Sequence, residues 1–157
     1  MRDKVRVDGL LQFVVYVAIK YLAYSGWCGL GVSWLDRTGR SPIRSGLGFG
    51  LVRLLIGTVA GVAIFLIGGV SHWSAWQDVL LQYFAVYVPV RWFEWGIMEL
   101  LIVRERRNPL KALLIGADRR TRVWRLGGIV VSHLADIPMI LMGGGVQEML
   151  PIGRFLC

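Results

Sequence analysis

Four apolar runs organise the chain, at Leu10 to Trp34, Gly46 to Val70, Val79 to Val103 and Leu126 to Val146. At about 1.5 Å per helical residue, each is long enough to cross the roughly 30 Å of hydrocarbon in a bilayer. A helix satisfies its own backbone amides, whereas a lone strand in lipid leaves them unpaired, so each run is expected as a helix. The predicted fold class is an all-α membrane protein, a single transmembrane helical domain over residues 1–157 with about four transmembrane helices in a small bundle.

The polar segments between the runs set an orientation. The first loop, Leu35 to Ser45, carries Arg37, Arg40 and Arg44. The third, Arg104 to Arg125, carries Arg104, Arg106, Arg107, Lys111, Arg119, Arg120, Arg122 and Arg125. Both are expected on the cytoplasmic side by the positive-inside rule. The second loop, Ser71 to Asp78, has no Lys or Arg and holds His72, Trp73 and Trp76, which suits an aromatic belt on the far face. Strict alternation then places both termini outside, against the charge of Arg2, Lys4 and Arg6. An alternative breaks Leu10 to Trp34 at Gly26, Gly29 and Gly31 into a re-entrant or interfacial segment.

Inside the third loop, Asn108 suits a helix cap, Pro109 a first helical turn and Gly116 a stop, so a short helix is expected at 108–116. Its apolar Leu110, Leu113, Leu114 and Ile115, flanked by Lys111 and Arg119, suit either a membrane surface or packing onto the protein. Gly57 and Gly61 are small residues four apart, a spacing that lets helices approach closely. They point to packing within the chain, or to protein partners or self-association. Gly46, Gly48 and Gly50 lack the Lys-Ser/Thr end of a phosphate loop and are also assigned to helix packing. Gly143 to Gly145 is expected to end the fourth helix, and the apolar side chains of the tail from Gln147 to Cys157 to lie against the surface.

Composition agrees with this pattern. The chain is 55% hydrophobic and only 18% charged, with a mean hydropathy of +0.58, too apolar to cover a soluble domain of this size. The net charge of +8 sits in short loops rather than on one folded face. It reports orientation and contact with anionic lipid head groups, not nucleic-acid binding. Lys20 interrupts what otherwise resembles a signal peptide ending at Ala23-Tyr24-Ser25, so the first helix is read as retained. Cys28 and Cys157 have no CxxC spacing, and no disulfide framework, metal or cofactor is expected. The expected location is a bacterial-type inner membrane, crossed several times.

The candidate chemistry lies in ionisable residues within the apolar runs, where a charge at the bilayer centre costs at least about 2.5–3.5 kcal/mol. They are Lys20, Arg53, Arg91, Glu94, Glu99, His133 and Asp136. Helical rise puts Arg91, Glu94, His133 and Asp136 at roughly 12–18 Å from the cytoplasmic side, and Arg53 at about 10 Å. Arg91 and Glu94 share one helix face, as do His133 and Asp136, and the two pairs are expected to oppose each other as one network. Pro89 and Pro138 free the carbonyls of Ala85 and Leu134 beside them. Trp92, Phe93 and Trp95 are placed to wall that network or to face lipid.

Two functional readings follow. In the first, Lys20, Arg53 and Arg91 balance Glu94, Glu99 and Asp136 one for one, and the protein is a non-catalytic accessory or structural subunit of a larger membrane assembly. In the second it is an intramembrane enzyme or carrier for a lipid-linked anion. There Glu94 or His133 acts as general base, Asp136 orients the imidazole, and Arg53 and Arg91 hold the anionic group. Ser132 and Cys28 sit in no motif that would make either a nucleophile.

Overall fold

A computed structural model describes residues 2–36, 38–70, 79–103 and 108–138. Among these residues the chain forms five helices and no strand: α1 (Arg2–Leu35), α2 (Pro42–Val70), α3 (Val79–Ile102), α4 (Pro109–Ile115) and α5 (Arg119–Leu134). Leu11–Leu35 of α1 and Pro42–Ala63 of α2 are long and apolar enough to cross a membrane. The aromatic second loop, Arg104 to Arg107, the fourth run beyond Pro138 and the tail lie outside the described residues.

α1, α2, α3 and α5 each bury a stripe at helical spacing, in which polar, aromatic and small residues outnumber the aliphatic ones. On α1 it runs through Tyr16, Lys20, Tyr24, Cys28 and Val32. On α2 it is Gly46, Gly50, Arg53, Gly57 and Gly61. On α3 it runs through Tyr87, Arg91, Glu94, Trp95, Met98, Glu99 and Ile102. The opposite faces carry the aliphatic residues, with Leu22, Leu51, Leu55, Val59, Leu66, Leu126 and Val130 all more than half exposed. Charged side chains thus lie inside the bundle while aliphatic ones cover much of its outside.

The first apolar run is one continuous helix, not the broken segment that its glycines allowed. Those glycines serve close packing instead. A Cβ on Gly46 would lie 2.7 Å from the Ser25 carbonyl oxygen and 2.8 Å from Gly29 Cα, and one on Gly50 would overlap Ser25 Oγ. The backbones of α1 and α2 therefore meet along Ser25, Gly29, Gly46 and Gly50. Gly57 and Gly61 are buried within this chain's own fold.

Glycines seat the tryptophans in the same way where α5 crosses the bundle. A Cβ on Gly31 would come within 2.6 Å of Trp124 Nε1, and one on Gly128 within 2.5 Å of the Trp95 ring. Trp27 and Trp124 then exchange hydrogen bonds, each indole N–H donating to the other's backbone carbonyl at 3.1 and 3.3 Å. Trp95 lies at the centre, edge-on to Tyr24 at 5.9 Å and to Trp124 at 5.2 Å.

The short helix α4 forms as its sequence predicts: Asn108 Oδ1 accepts from Lys111 N–H at 3.2 Å and Gly116 ends it at φ 84°. The helix after it departs from expectation. It starts at Arg119 rather than Leu126, because Asp118 and Thr121 form a reciprocal capping box. Arg119, Arg120 and Arg122 face outward while Thr121, Trp124, Arg125, Gly128, Ile129 and Ser132 form the buried stripe. A hydropathy boundary read this polar first half as loop. At its other end α5 stops at Leu134, the residue whose carbonyl the Pro138 ring obstructs. α3, by contrast, continues through Pro89.

The loop between α1 and α2 ties these elements together. Arg40 Nε donates to Asp36 Oδ2 at 2.6 Å, and Arg40 Nη2 donates to the Ile102 carbonyl at the end of α3. Thr38 adds two further donors to Asp36, its N–H at 3.1 Å and its hydroxyl at 2.7 Å. The hydrogen bond from Arg40, seconded by Thr38, holds the Asp36 carboxyl well below its ordinary range, at about 2.

Two predictions follow from the packing and the loop. Gly50→Ala should destabilise the fold by about 1–3 kcal/mol through overpacking against Ser25. Gly48→Ala, with open space around it, should be neutral or slightly stabilising; chemical denaturation in detergent compares the two. Because folding depresses the Asp36 pKa, its contribution is complete above the unfolded value of about 3.9 and is lost as pH falls through about 2. Asp36→Asn should therefore lower stability at neutral pH and flatten the melting-temperature profile between about pH 4 and 2.

Candidate functional site: the buried charge network

Seven charged side chains are buried among the described residues: Lys20, Arg53, Arg91, Glu94, Glu99, Arg125 and Asp136. α3 supplies three of them at successive levels, and each level is joined to a different neighbour. Glu99 and Glu94 are separated by about 7.5 Å of helical rise, and Glu94 and Arg91 by about 4.5 Å.

At the first level Arg125 of α5 donates from Nε to Glu99 Oε2 at 2.7 Å. Its Nη1 reaches the Leu113 carbonyl at 2.8 Å, and its Nη2 the Ala112 carbonyl. The guanidinium thus pairs a buried acid and satisfies the last carbonyls of α4 at once. Trp92 Nε1 donates to Leu114 O at 2.8 Å, fixing α4 to α3 from a second side.

At the middle level Arg53 Nη2 of α2 donates to Glu94 Oε2 at 2.5 Å. The Arg53 guanidinium also stacks 4.8 Å from the Tyr24 ring and 5.1 Å from Trp95. At the third level Asp136, just past the end of α5, gathers three donors. Lys20 Nζ pairs with Oδ1 at 2.8 Å, Tyr16 O–H donates to Oδ1 at 3.0 Å, and Arg91 Nη2 pairs with Oδ2. A carboxylate beside a helix C-terminus is repelled by the helix dipole, and two cations offset that repulsion.

Every one of the four buried cations also lies over an aromatic face: Lys20 over Tyr16, Arg53 over Tyr24 and Trp95, Arg91 over Tyr87 and Arg125 over Trp92. These contacts supply electron-rich surface where water is excluded. Among the described residues, four buried cations meet three buried carboxylates.

The pairing differs from the expected opposition of Arg91/Glu94 with His133/Asp136. Arg91 does reach Asp136 across α3 and α5, but Glu94 turns toward α2 and takes Arg53. The half-buried His133 directs Nδ1 to the Ile129 carbonyl of its own helix at 2.8 Å, which assigns the proton to that nitrogen. The one-for-one balance leaves out Arg125, which the positive-inside rule puts in a cytoplasmic loop and which is fully buried on α5. Its position in the stripe 121, 124, 125, 128, 129, 132 was the signal available in the sequence. Ser132 acts as a strut, accepting from Trp95 Nε1 at 3.2 Å and donating to Gly128 O at 2.9 Å. Trp95 is in the core, while Phe93 beside it faces outward.

Removing one member of such a pair strands its partner in a medium that cannot solvate it. Asp136→Ala, which removes the carboxylate shared by Lys20, Arg91 and Tyr16, should cost about 3–5 kcal/mol. The double variant Arg53→Met with Glu94→Leu should be markedly more stable than either single substitution, and a double-mutant cycle in detergent measures the coupling.

Comparisons with protein-family models, with curated proteins and with solved structures gave no match, so the functional reading rests on the geometry of the buried charges.

Proposed function

We propose that this chain is a multi-pass protein of a bacterial-type inner membrane, with about four crossings, and that it serves as a non-catalytic structural component of a larger membrane assembly. The observation that carries the reading is the way its buried acids are engaged. Asp136 is held from α1 and α3, Glu94 from α2 and Glu99 from α5. Each acid pairs with a cation from another helix, which is what a fastener does. Both Asp136 oxygens have donors, and Glu94 is held by Arg53 through Oε2.

The membrane part of the reading draws on the two apolar helices and on the outer aliphatic faces and paired interior ions, which suit lipid better than water. The exposed Lys111, Arg119, Arg120 and Arg122 cluster at α4 and the start of α5, together with Arg40 in the first loop, and suit the cytoplasmic head-group region. The assembly part draws on the outer surface. Leu22, Gly26, Leu30 and Leu47 line an apolar groove of about 490 Å³ between α1 and α2, the kind of face a partner helix fills.

The competing reading, an enzyme or carrier for a lipid-linked anion through Arg53, Arg91, Glu94, His133 and Asp136, draws on the buried Arg53 and Arg91 beside Glu94 and Asp136. Asp136→Asn and Glu94→Gln separate the two. As fasteners they should lower thermal stability and reduce the amount of assembled protein in proportion, and native electrophoresis in mild detergent should place the tagged wild-type chain in a species well above its own 17.6 kDa. A variant that remains folded and assembled yet loses all function would decide for the enzyme.

A further inference from the structure

α4 is fixed against the bundle, because its last carbonyls accept from side chains of other helices. Arg125 donates to Ala112 and Leu113, and Trp92 donates to Leu114 at 2.8 Å. This seating turns Ala112 inward and leaves Leu110, Leu114 and Ile115 exposed beside the exposed Lys111. Gly116, at φ 84°, then leads the chain toward α5, and a Cβ there would lie 2.7 Å from Arg122 Cγ, so the stem of Arg122 packs on the turn.

Along α5 one outward stripe runs through Arg119, Arg122, Val123, Leu126 and Val130 at helical spacing, and every member is exposed. It changes from basic to aliphatic between Arg122 and Val123, and Val130 lies about 12 Å along the axis from Arg122. The cations of this elbow differ from those elsewhere in the fold. Each buried cation has a carboxylate, and Arg40 has Asp36. Lys111, Arg119, Arg120 and Arg122 form no ion pair among the described residues. The first amides of α5 are not the source of attraction, since Asp118 Oδ1 already accepts from Thr121 N–H at 2.8 Å.

Four positive charges on a fixed backbone, bordered by aliphatic side chains, call for negative charge and an apolar body in one partner. A nucleic acid or an acidic protein supplies the charge but leaves Leu126 and Val130 unmatched. A zwitterionic lipid matches the aliphatic stripe but brings no net counter-charge. An anionic phospholipid supplies both, along the direction in which the stripe changes. We propose that the α4–α5 elbow binds an anionic phospholipid of the phosphatidylglycerol class, its phosphate meeting Arg119 and Arg122 and its acyl chains lying along Val123, Leu126 and Val130. Lys111 and Arg120 add to the positive field. The proposal deepens the membrane reading given above and rests on it: α4 lies in the plane of the head groups, with Leu110, Leu114 and Ile115 reaching the upper acyl region.

The test uses the full chain in nanodiscs of equal phosphatidylcholine and phosphatidylglycerol, with a trace of one or the other lipid carrying the same photoreactive diazirine in an acyl chain. Labelled peptides are mapped by mass spectrometry. The phosphatidylglycerol probe is expected to label 110–130 at least about tenfold more than the phosphatidylcholine probe, from about fivefold per basic residue near the surface. Both probes should label 51–63 of α2 equally, where the exposed residues are aliphatic. Arg119→Gln combined with Arg122→Gln should lower the ratio at 110–130 by at least about fivefold. Lysine at the same two positions keeps the charge and should retain the preference. Equal labelling of 110–130 by the two probes, or an unchanged ratio in the glutamine variant, overturns the proposal. So does displacement of the label by equimolar polyglutamate or oligothymidylate, which would make a soluble polyanion the occupant. Alkaline carbonate extraction separates the two levels of inference: release of the protein from membranes defeats the membrane reading, whereas retention with equal labelling defeats the anionic-lipid site alone.

Discussion

An ion removed from water must find its counter-charge close by, and this requirement governs the arrangement of the bundle. Lys20, Arg53, Arg91 and Arg125 are each within 1% of complete burial, where a solitary charge would be prohibitive. Each therefore dictates which helix can lie beside its own. Arg53 brings α2 to Glu94, Arg125 brings α5 and the end of α4 to Glu99, and Asp136 draws α1 and α3 to the far end of α5. Aliphatic contacts between helices would be far less selective, because in lipid they compete with acyl chains of equal polarity.

The small residues make this pairing geometrically attainable. With Gly46 and Gly50 against Ser25 and Gly29, α1 and α2 approach until their backbones touch. That closeness allows Tyr24 of α1 to lie against the Arg53 guanidinium of α2. Gly128 does the same for Trp95 and Gly31 for Trp124, so the aromatic layer and the charged layers share one axis. The cation–aromatic contacts then moderate the desolvation that the ion pairs alone would not fully offset.

Function on this view depends on which polar groups are consumed by architecture. Asp136, Glu99 and Arg125 have their hydrogen-bonding capacity engaged by neighbouring helices, and Ser132 is a bridge between Trp95 and Gly128. Glu94 differs, because among the described residues only one of its oxygens, Oε2, accepts a hydrogen bond.

Much of the architecture is local in origin and therefore readable along the chain. Long apolar runs give long helices, Asn108, Pro109 and Gly116 give α4 its limits, and ionisable residues inside apolar runs mark the positions that need partners. The start of α5 was harder to read. Its capping box and inward stripe are local too, but its four arginines mask them from any average over hydropathy. The identity of the partners was not local at all. Tyr16 and Asp136 are 120 residues apart and Arg53 and Glu94 are 41 apart, so their meeting depends on the rotation and approach of whole helices. By itself, the sequence determined the helical class, the long apolar segments and which charges had to be neutralised. Only the tertiary structure decided which charge neutralises which, because periodicity places a side chain on a face while steric fit between helices selects the face it meets.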